Sequence, residues 1–393
     1  MSTSARLVAG LLWMGCGHID FAPAGGDAAT TDADTHSVDA ADPVGPWIAA
    51  GGISACATTT DGTLYCWGNE PPGDGQADGT HAVPSPVPGL PPLRRADLHG
   101  ARYVVDETGG LWVWGGNTTG QLGDGTTSPG LVPRRLDLGG PVRAASSGYA
   151  FGCALRAAGT VACWGDGSAG KLGNGGSSSS LVPVEVVGLA DAITLESGDT
   201  HSCAVRADGT AVCWGDNGAG QLGVPDLPQS DVPVVVASAP GPFDHVAVGD
   251  THACGRLRDG TVACWGSNSS GQLGVAAPAS SSAPLRVPGV ATVVMVVANA
   301  GSTCVLHQDG TASCWGSNTY GELGDGTHAG RSAPAPVPGL TDLVSLSGRA
   351  GLLVCALDGA GQRWCWGSNN SGALALDPSM VDSPVPVLIN LPP

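Results

Sequence analysis

A cysteine, nine residues, a second cysteine and then Trp-Gly: this phrase occurs six times in the chain. The pairs are Cys56/Cys66, Cys153/Cys163, Cys203/Cys213, Cys254/Cys264, Cys304/Cys314 and Cys355/Cys365. A seventh copy keeps Trp114-Gly115 but carries Tyr103 and Val113 at the cysteine positions. Both partners are missing from the same copy, as expected if each pair is one bond. The repeated tryptophans, Trp67, Trp114, Trp164, Trp214, Trp265, Trp315 and Trp366, lie 47, 50, 50, 51, 50 and 51 residues apart. A near-constant period of about fifty residues marks a repeat architecture, and propeller blades are among the few units of that size. Each copy consists of short apolar runs such as Val232 to Val236, broken by Gly, Pro, Ser and Asp. No stretch has helical periodicity, so the copies read as strands and tight turns. The 63 Gly, 30 Pro and 13% charged residues suit an all-β chain full of turns.

The spacing within one copy predicts where each bond sits. Between Cys203 and Cys213, Asp208-Gly209 is a hairpin signal. A three-residue loop 207–209, with Gly209 left-handed, is the common type I turn plus bulge. That register places Cys203 opposite Cys213 in a non-hydrogen-bonded pair. Its Cα separation of about 4.5 Å is one a disulfide can span. Asp61-Gly62, Asp259-Gly260 and Asp309-Gly310 repeat the geometry. Zinc is the rival reading, but no second pair or His stands nearby at ligand spacing.

The phrase Cys-Trp-Gly-Ser-Asn-Ser-Ser-Gly-Gln-Leu-Gly at 264–274 resembles the repeat of the regulator of chromosome condensation (RCC1) family, as does Gly-Asp-Thr-His-Ser-Cys-Ala-Val at 198–205. The Gly-x-Leu-Gly element recurs at Gly120–Gly123, Gly170–Gly173, Gly220–Gly223, Gly271–Gly274 and Gly321–Gly324, and decays in the first and last copies. The resemblance covers residues 47–393 and implies a seven-bladed β-propeller with four antiparallel strands per blade. The chain enters at Trp47-Ile-Ala-Ala-Gly-Gly and ends on Ser383-Pro-Val-Pro-Val-Leu. From this phase, the C-terminal strand is expected to join the first blade and close the ring.

Residues 1–16 read as an export signal: Arg6, the apolar run Leu7–Met14, then Gly15-Cys16. Cys16 after a small residue resembles a bacterial lipoprotein box, although Trp13 departs from it; cleavage after Ala24 is the alternative. Residues 17–46 hold Asp27, Asp32, Asp34, Asp39 and Asp42 among small residues and read as a disordered tether. Twelve pairable cysteines need an oxidising compartment. The expected location is therefore the bacterial cell envelope, with free secretion as the alternative.

A net charge of −18 without a basic stripe argues against nucleic acid binding. His201 and His252 hold one repeat position and read as structural. The Asp-Gly pairs read as turns and not as calcium ligands. There is no nucleophile elbow, phosphate loop or metal motif, so neither a catalytic residue nor a cofactor is expected. Only a site assembled from several blades would escape this reading.

Departures from the repeat are more informative. Trp112 and Trp364 stand one residue before the second cysteine position, and Tyr65 fills that slot in the first copy. Other copies have Ala162, Val212, Ala263 and Ser313 there. In a closed ring these three aromatics belong to neighbouring blades. Residues 94–143 carry six arginines, including Arg134 and Arg135, against five carboxylates, a net of +1 in an acidic chain. Tyr65, Trp112, Trp364, Arg134 and Arg135 are thus candidate partner contacts, with seam filling as the competing role. Loops 125–130, 175–180, 225–231, 276–283 and 326–333 differ most between copies and suit recognition.

The expected function is that of an exported, lipid-anchored, monomeric binding propeller for a protein or glycan. An enzyme inhibitor, or an envelope hydrolase or lyase working at one mouth of the ring, are the alternatives. Even spacing leaves no room for the inserted wedge that RCC1 itself uses in nucleotide exchange.

Overall fold

The computed structural model describes residues 46–392 except Glu70, residues 77–80 and Pro378. The expected signal segment with Cys16, and the tether up to residue 45, lie outside the described residues. Those described form seven four-stranded antiparallel sheets, each built from four consecutive strands. Blades 1 to 7 span residues 48–86, 93–136, 142–185, 192–235, 243–286, 293–336 and 343–389. The first strands of the blades touch one another in cyclic order, blade 7 meeting blade 1, so the innermost strands close a ring.

Blade 4 shows the repeat at work, with strands Ala192–Ser197, His201–Arg206, Ala211–Asp216 and Gln229–Val235. The second and third strands form the stapled hairpin. Arg206 and Thr210 close it through the Thr210 carbonyl at 2.8 Å, and Gly209 donates back to the Arg206 carbonyl at 2.9 Å. Gly209 has φ +93°, which an L side chain rarely adopts. The Asp208 carboxylate accepts the Thr210 N–H at 2.8 Å, and this bond holds its pKa below the usual range. Cys203 then faces Cys213.

The other stapled hairpins follow the same register. Cys56 faces Cys66, Cys153 faces Cys163, Cys254 faces Cys264, Cys304 faces Cys314 and Cys355 faces Cys365. All six pairs, Cys56–Cys66, Cys153–Cys163, Cys203–Cys213, Cys254–Cys264, Cys304–Cys314 and Cys355–Cys365, are bonded within their own hairpins. Their Cα separations of 4.0–4.1 Å are shorter than the separation expected from an unbridged pair, because the bond draws the two strands together. No bond joins different copies, so the staples act within blades and leave the seams to other contacts.

The Trp-Gly dipeptide joins blades. Each of the seven tryptophans is fully buried. Trp164, Trp214, Trp265, Trp315 and Trp366 donate their indole N–H to a carbonyl in the Gly-x-Leu-Gly element of the preceding blade, at 2.7–3.0 Å. The following glycine bends the strand. Gly215 has φ +109°, and a Cβ there would stand 2.6 Å from the Thr200 carbonyl.

Ring closure departs from the expectation. The last strand, Asp382–Ile389, pairs with Arg363–Ser368 of its own blade, and blade 1 is complete without it. The Pro-rich segment is the fourth strand of its own copy, so each described sheet is completed by its own four consecutive strands. Instead the ordinary inter-blade contact closes the seam: Trp67 of blade 1 donates to the Ala373 carbonyl of blade 7 at 2.8 Å. Ile48, Ala50 and Ala55 pack there with Leu353, Cys355 and Leu374.

Blade 2 replaces the staple with bulk. Tyr103 and Val113 face each other at the cysteine positions and are buried. The Tyr103 hydroxyl donates to the Gln121 carbonyl, which also accepts from Trp164 at 2.7 Å. The Tyr103 and Trp164 rings meet at 5.7 Å and 58°. Room for the phenol comes from blade 3: a Cβ on Gly152 would lie 2.0 Å from the Tyr103 hydroxyl. Blades 1, 4, 5, 6 and 7 carry Ala55, Ser202, Ala253, Thr303 and Val354 at that position.

Candidate binding face

In a four-stranded antiparallel sheet, the connections from strand one to two and from three to four lie at the same end. The seven-fold repetition therefore gives the ring two unlike faces. One carries the tight Asp-Gly hairpins. The other carries the turns beside the axis and the long outer loops, including every loop singled out for sequence variation.

Four of those loops, 175–180 of blade 3 excepted, and the corresponding loop of blade 7 stand on a common frame that sequence reading missed. Two residues after Trp-Gly, five copies carry a buried asparagine: Asn117, Asn217, Asn268, Asn318 and Asn369. Each accepts the N–H of the Gly-x-Leu-Gly leucine, or of Leu374 in the last copy, at 2.8–3.0 Å. Each side-chain amide donates to carbonyls within the loop, as from Asn117 to Ser128 at 2.9 Å and from Asn268 to Pro278 at 2.7 Å. The loop tips beyond the clamp, such as 125–129 and 225–229, are exposed. The signal was a periodic Asn, visible had the position been tabulated across copies.

The inner turns of this face converge on a polar mouth. His99 of blade 2 pairs with Asp199 of blade 4, and its ring lies 6.4 Å from Tyr149 of blade 3. Tyr149 is 68% exposed. Asp250 of blade 5 is pushed up to about 7, first by burial and then by the Asp199 charge, with His99 opposing. Its Oδ1 is buried without a hydrogen-bond partner among the described residues. These residues come from four copies, so no linear motif marks them. His201 and His252 lie behind them, fully buried. Burial lowers them to about 3 and about 4, and His252 Nε2 lies 3.0 Å from the Thr303 hydroxyl. No group of three His, Cys, Asp or Glu is placed to hold a metal ion among the described residues.

The aromatic positions lie towards the hairpin face. Trp112 donates to Asp106 at 2.9 Å and Trp364 to Asp358 at 3.1 Å; in both, a carboxylate at the turn of the same hairpin accepts the hydrogen bond from the indole N–H. Burial works against the Asp106 charge, but hydrogen bonds from Thr108, Trp112 and Gly110 outweigh it and hold its carboxyl low. Trp112 packs against the blade 1–2 core and Trp364 against the blade 6–7 core. Tyr65 lines a groove of about 500 Å³ at the seam of blades 7 and 1, with Thr59, Asp61, Gln362 and Arg363. Arg134, 53% exposed at its side chain, pairs with Asp124 at 2.7 Å. Arg135 is exposed and sits opposite Trp112 in the sheet. The structure thus spreads Trp364, Tyr65 and Trp112 over the seams of blades 6–7, 7–1 and 1–2, sets Arg134 and Arg135 on the outer strand of blade 2, and does not gather the five into one pocket.

A family model described as an RCC1-like domain matches residues 97–392. The chain belongs to the RCC1-like domain family. Among solved structures, human WBSCR16 is 22% identical with a TM-score of 0.74, over 84% of this chain and 95% of that one. Prp20p of Saccharomyces cerevisiae is also 22% identical at a TM-score of 0.74, over 84% of this chain and 86% of that one. The CRINKLY WD40 ectodomain of the Arabidopsis thaliana receptor kinase ACR4 is 19% identical with a TM-score of 0.51, over 81% and 94%. At these identities the RCC1-like propeller is similar to them in fold alone. Comparison with curated protein sequences finds no match.

Proposed function

We propose that this RCC1-like propeller is an exported, non-enzymatic binding scaffold that recognises a protein or glycan through its loop face. The observation that carries this reading is the asparagine clamp. Five loops of different sequence stand on the same buried side chain, which is how a rigid scaffold presents variable recognition elements. Prp20p, of the same fold, is a protein with binding properties toward Gsp1p and histones. Six cystines suit an oxidising compartment. Among the described residues no helix is long and apolar enough to cross a membrane. The reading adds a lipid on Cys16 as the tether to a bacterial envelope. Tyr65 in the 7/1 groove and Arg135 on the outer strand of blade 2, which remain accessible, are two separate and smaller candidate contacts on the hairpin side.

Affinity capture from envelope extract with the full chain tests it. Replacing loops 125–130 and 225–231 by Gly/Ser should abolish capture of a specific partner. Tyr65→Ala with Arg135→Ala should weaken it less. Capture that survives both changes overturns the assignment. Metabolic labelling with a fatty acid should mark the wild type and not Cys16→Ser.

The mouth supports a second reading. A half-buried carboxyl titrating near neutrality beside a His–carboxylate pair suits general acid chemistry in a hydrolase or lyase. Turnover in a broad glycosidase, lyase and esterase screen that disappears in Asp250→Asn would establish it over the scaffold.

A further inference from the structure

Six of the seven seams between blades are crossed by the chain itself. The seam between blades 7 and 1 is not, and among the described residues no strand is shared across it. Its local contacts are the apolar packing of Ile48, Ala50 and Ala55 against blade 7, the repeat tryptophan Trp67, a bond from the Ala50 N–H to the Ser347 hydroxyl at 2.8 Å, and Arg363 donating to the Thr58 carbonyl.

A further tie runs through the middle of the ring. In blade 7, Ser347 pairs with Cys355. In blade 4, Glu196 pairs with Cys203. The blade 7 turn is therefore one residue longer. It is held against blade 6, where Ala300 N–H donates to the Gly351 carbonyl at 3.1 Å. The extended turn carries Arg349. Its Nη1 lies 3.0 Å from Asp97 Oδ2 and donates to the Ser146 hydroxyl at 2.6 Å. Its Nη2 pairs with Glu196. Those partners belong to blades 2, 3 and 4, none of which adjoins blade 7. A side chain can reach them only across the axis.

The partners are matched to this reach. Asp97, Ser146 and Glu196 occupy one register position, opposite Tyr103, Cys153 and Cys203. At that position blades 1, 5 and 6 carry Ala49, Ala247 and Val297. Polar groups stand where the guanidinium arrives, and small or apolar ones on the remaining blades it does not reach. Asp97 is fixed in turn, its Oδ1 accepting from the Ser147 N–H at 2.9 Å and the Ser147 hydroxyl at 2.6 Å. Arg349, Asp97 and Glu196 are 13%, 4% and 8% exposed at their side chains. Their attraction is therefore little weakened by salt.

We propose that Arg349 is an axial pin that closes the ring, doing by a charged side chain across the bore what a shared strand does in other closed sheets. The pin ties the C-terminal blade to the N-terminal half. Opening the 7/1 seam swings blade 7 away and breaks all three contacts together. A planar guanidinium suits this role because it serves several acceptors at once, which an ammonium on a flexible stem does less well. The inference does not depend on what the loop face binds.

Hydrogen exchange on the full chain tests it. In Arg349→Met, the inner strands flanking the seam, Ile48–Gly51 and Leu343–Ser347, should lose protection by about tenfold or more relative to Phe243–Val248 in blade 5. Equal loss in all blades, or none, overturns the pin. If that variant does not fold, Arg349→Met with Asp97→Asn and Glu196→Gln removes the stranded charges. The triple variant should regain melting temperature and still exchange fast at the seam. Wild-type protection at the seam in the triple variant would show that Arg349 only neutralises two carboxylates, and would overturn the proposal.

Discussion

At the centre of the blade 4 hairpin is the Cys203–Cys213 bond; at the same place in blade 2 stand Tyr103 and Val113. The bond acts mainly on the unfolded chain, by shortening the loop it can explore. The tyrosine acts on the folded state, through burial, a ring contact and one hydrogen bond. The staple is self-contained within a hairpin. The tyrosine depends on blade 3, because only Gly152 leaves space for it. One device makes a blade robust by itself, and the other makes it robust through its neighbour.

Four measurements would break or sharpen this contrast. Tyr103→Ala opens a large cavity at the blade 2–3 seam and should cost about 3–5 kcal/mol in denaturant unfolding. Removing one staple, by Cys203→Ala with Cys213→Ala, should cost about 2.5–3 kcal/mol. If the second loss exceeds the first, the tyrosine is not an equivalent of the bond.

Gly152→Ala forces a methyl into the phenol and should cost about 1–3 kcal/mol. The same change made in Tyr103→Ala should be neutral or favourable. Independence of the two substitutions would refute the coupling between blades.

Acid should separate the blades most finely. His201 and His252 are held neutral by burial, at about 3 and about 4 against an ordinary 6.5. The unfolded chain therefore takes up protons first. Stability should fall as pH drops from 6.5 towards 4, by about 1.4 kcal/mol per pH unit for each group. Blade 2 carries Ala101 at this position. His201→Phe with His252→Ser, the residues of blades 3 and 6, should flatten the profile; an unchanged slope would place the titration elsewhere.

Much of this molecule is legible in one sequence because it is repeated. Period, strand content, hairpin register and bond pairing are local properties, fixed within a few residues by turn chemistry and strand alternation. The Asp-Gly turn alone sets Cys203 opposite Cys213. The departures Tyr65, Trp112 and Trp364 were visible by the same comparison, yet their roles were not. Whether an indole meets a partner or its own turn carboxylate depends on atoms such as Asp106 Oδ2, which position in the sequence does not give.

What joins distant copies was decided only in three dimensions. The C-terminal strand stays in its own blade because it is the fourth strand of its own copy. The mouth formed by His99, Asp199 and Asp250, and the reach of Arg349 to Asp97, Ser146 and Glu196, bring together residues that are far apart in the chain and spread over separate repeats. A local code specifies each blade. The pairing of charges across the axis has no local code, because it exists only once seven blades have placed their inner strands around one bore.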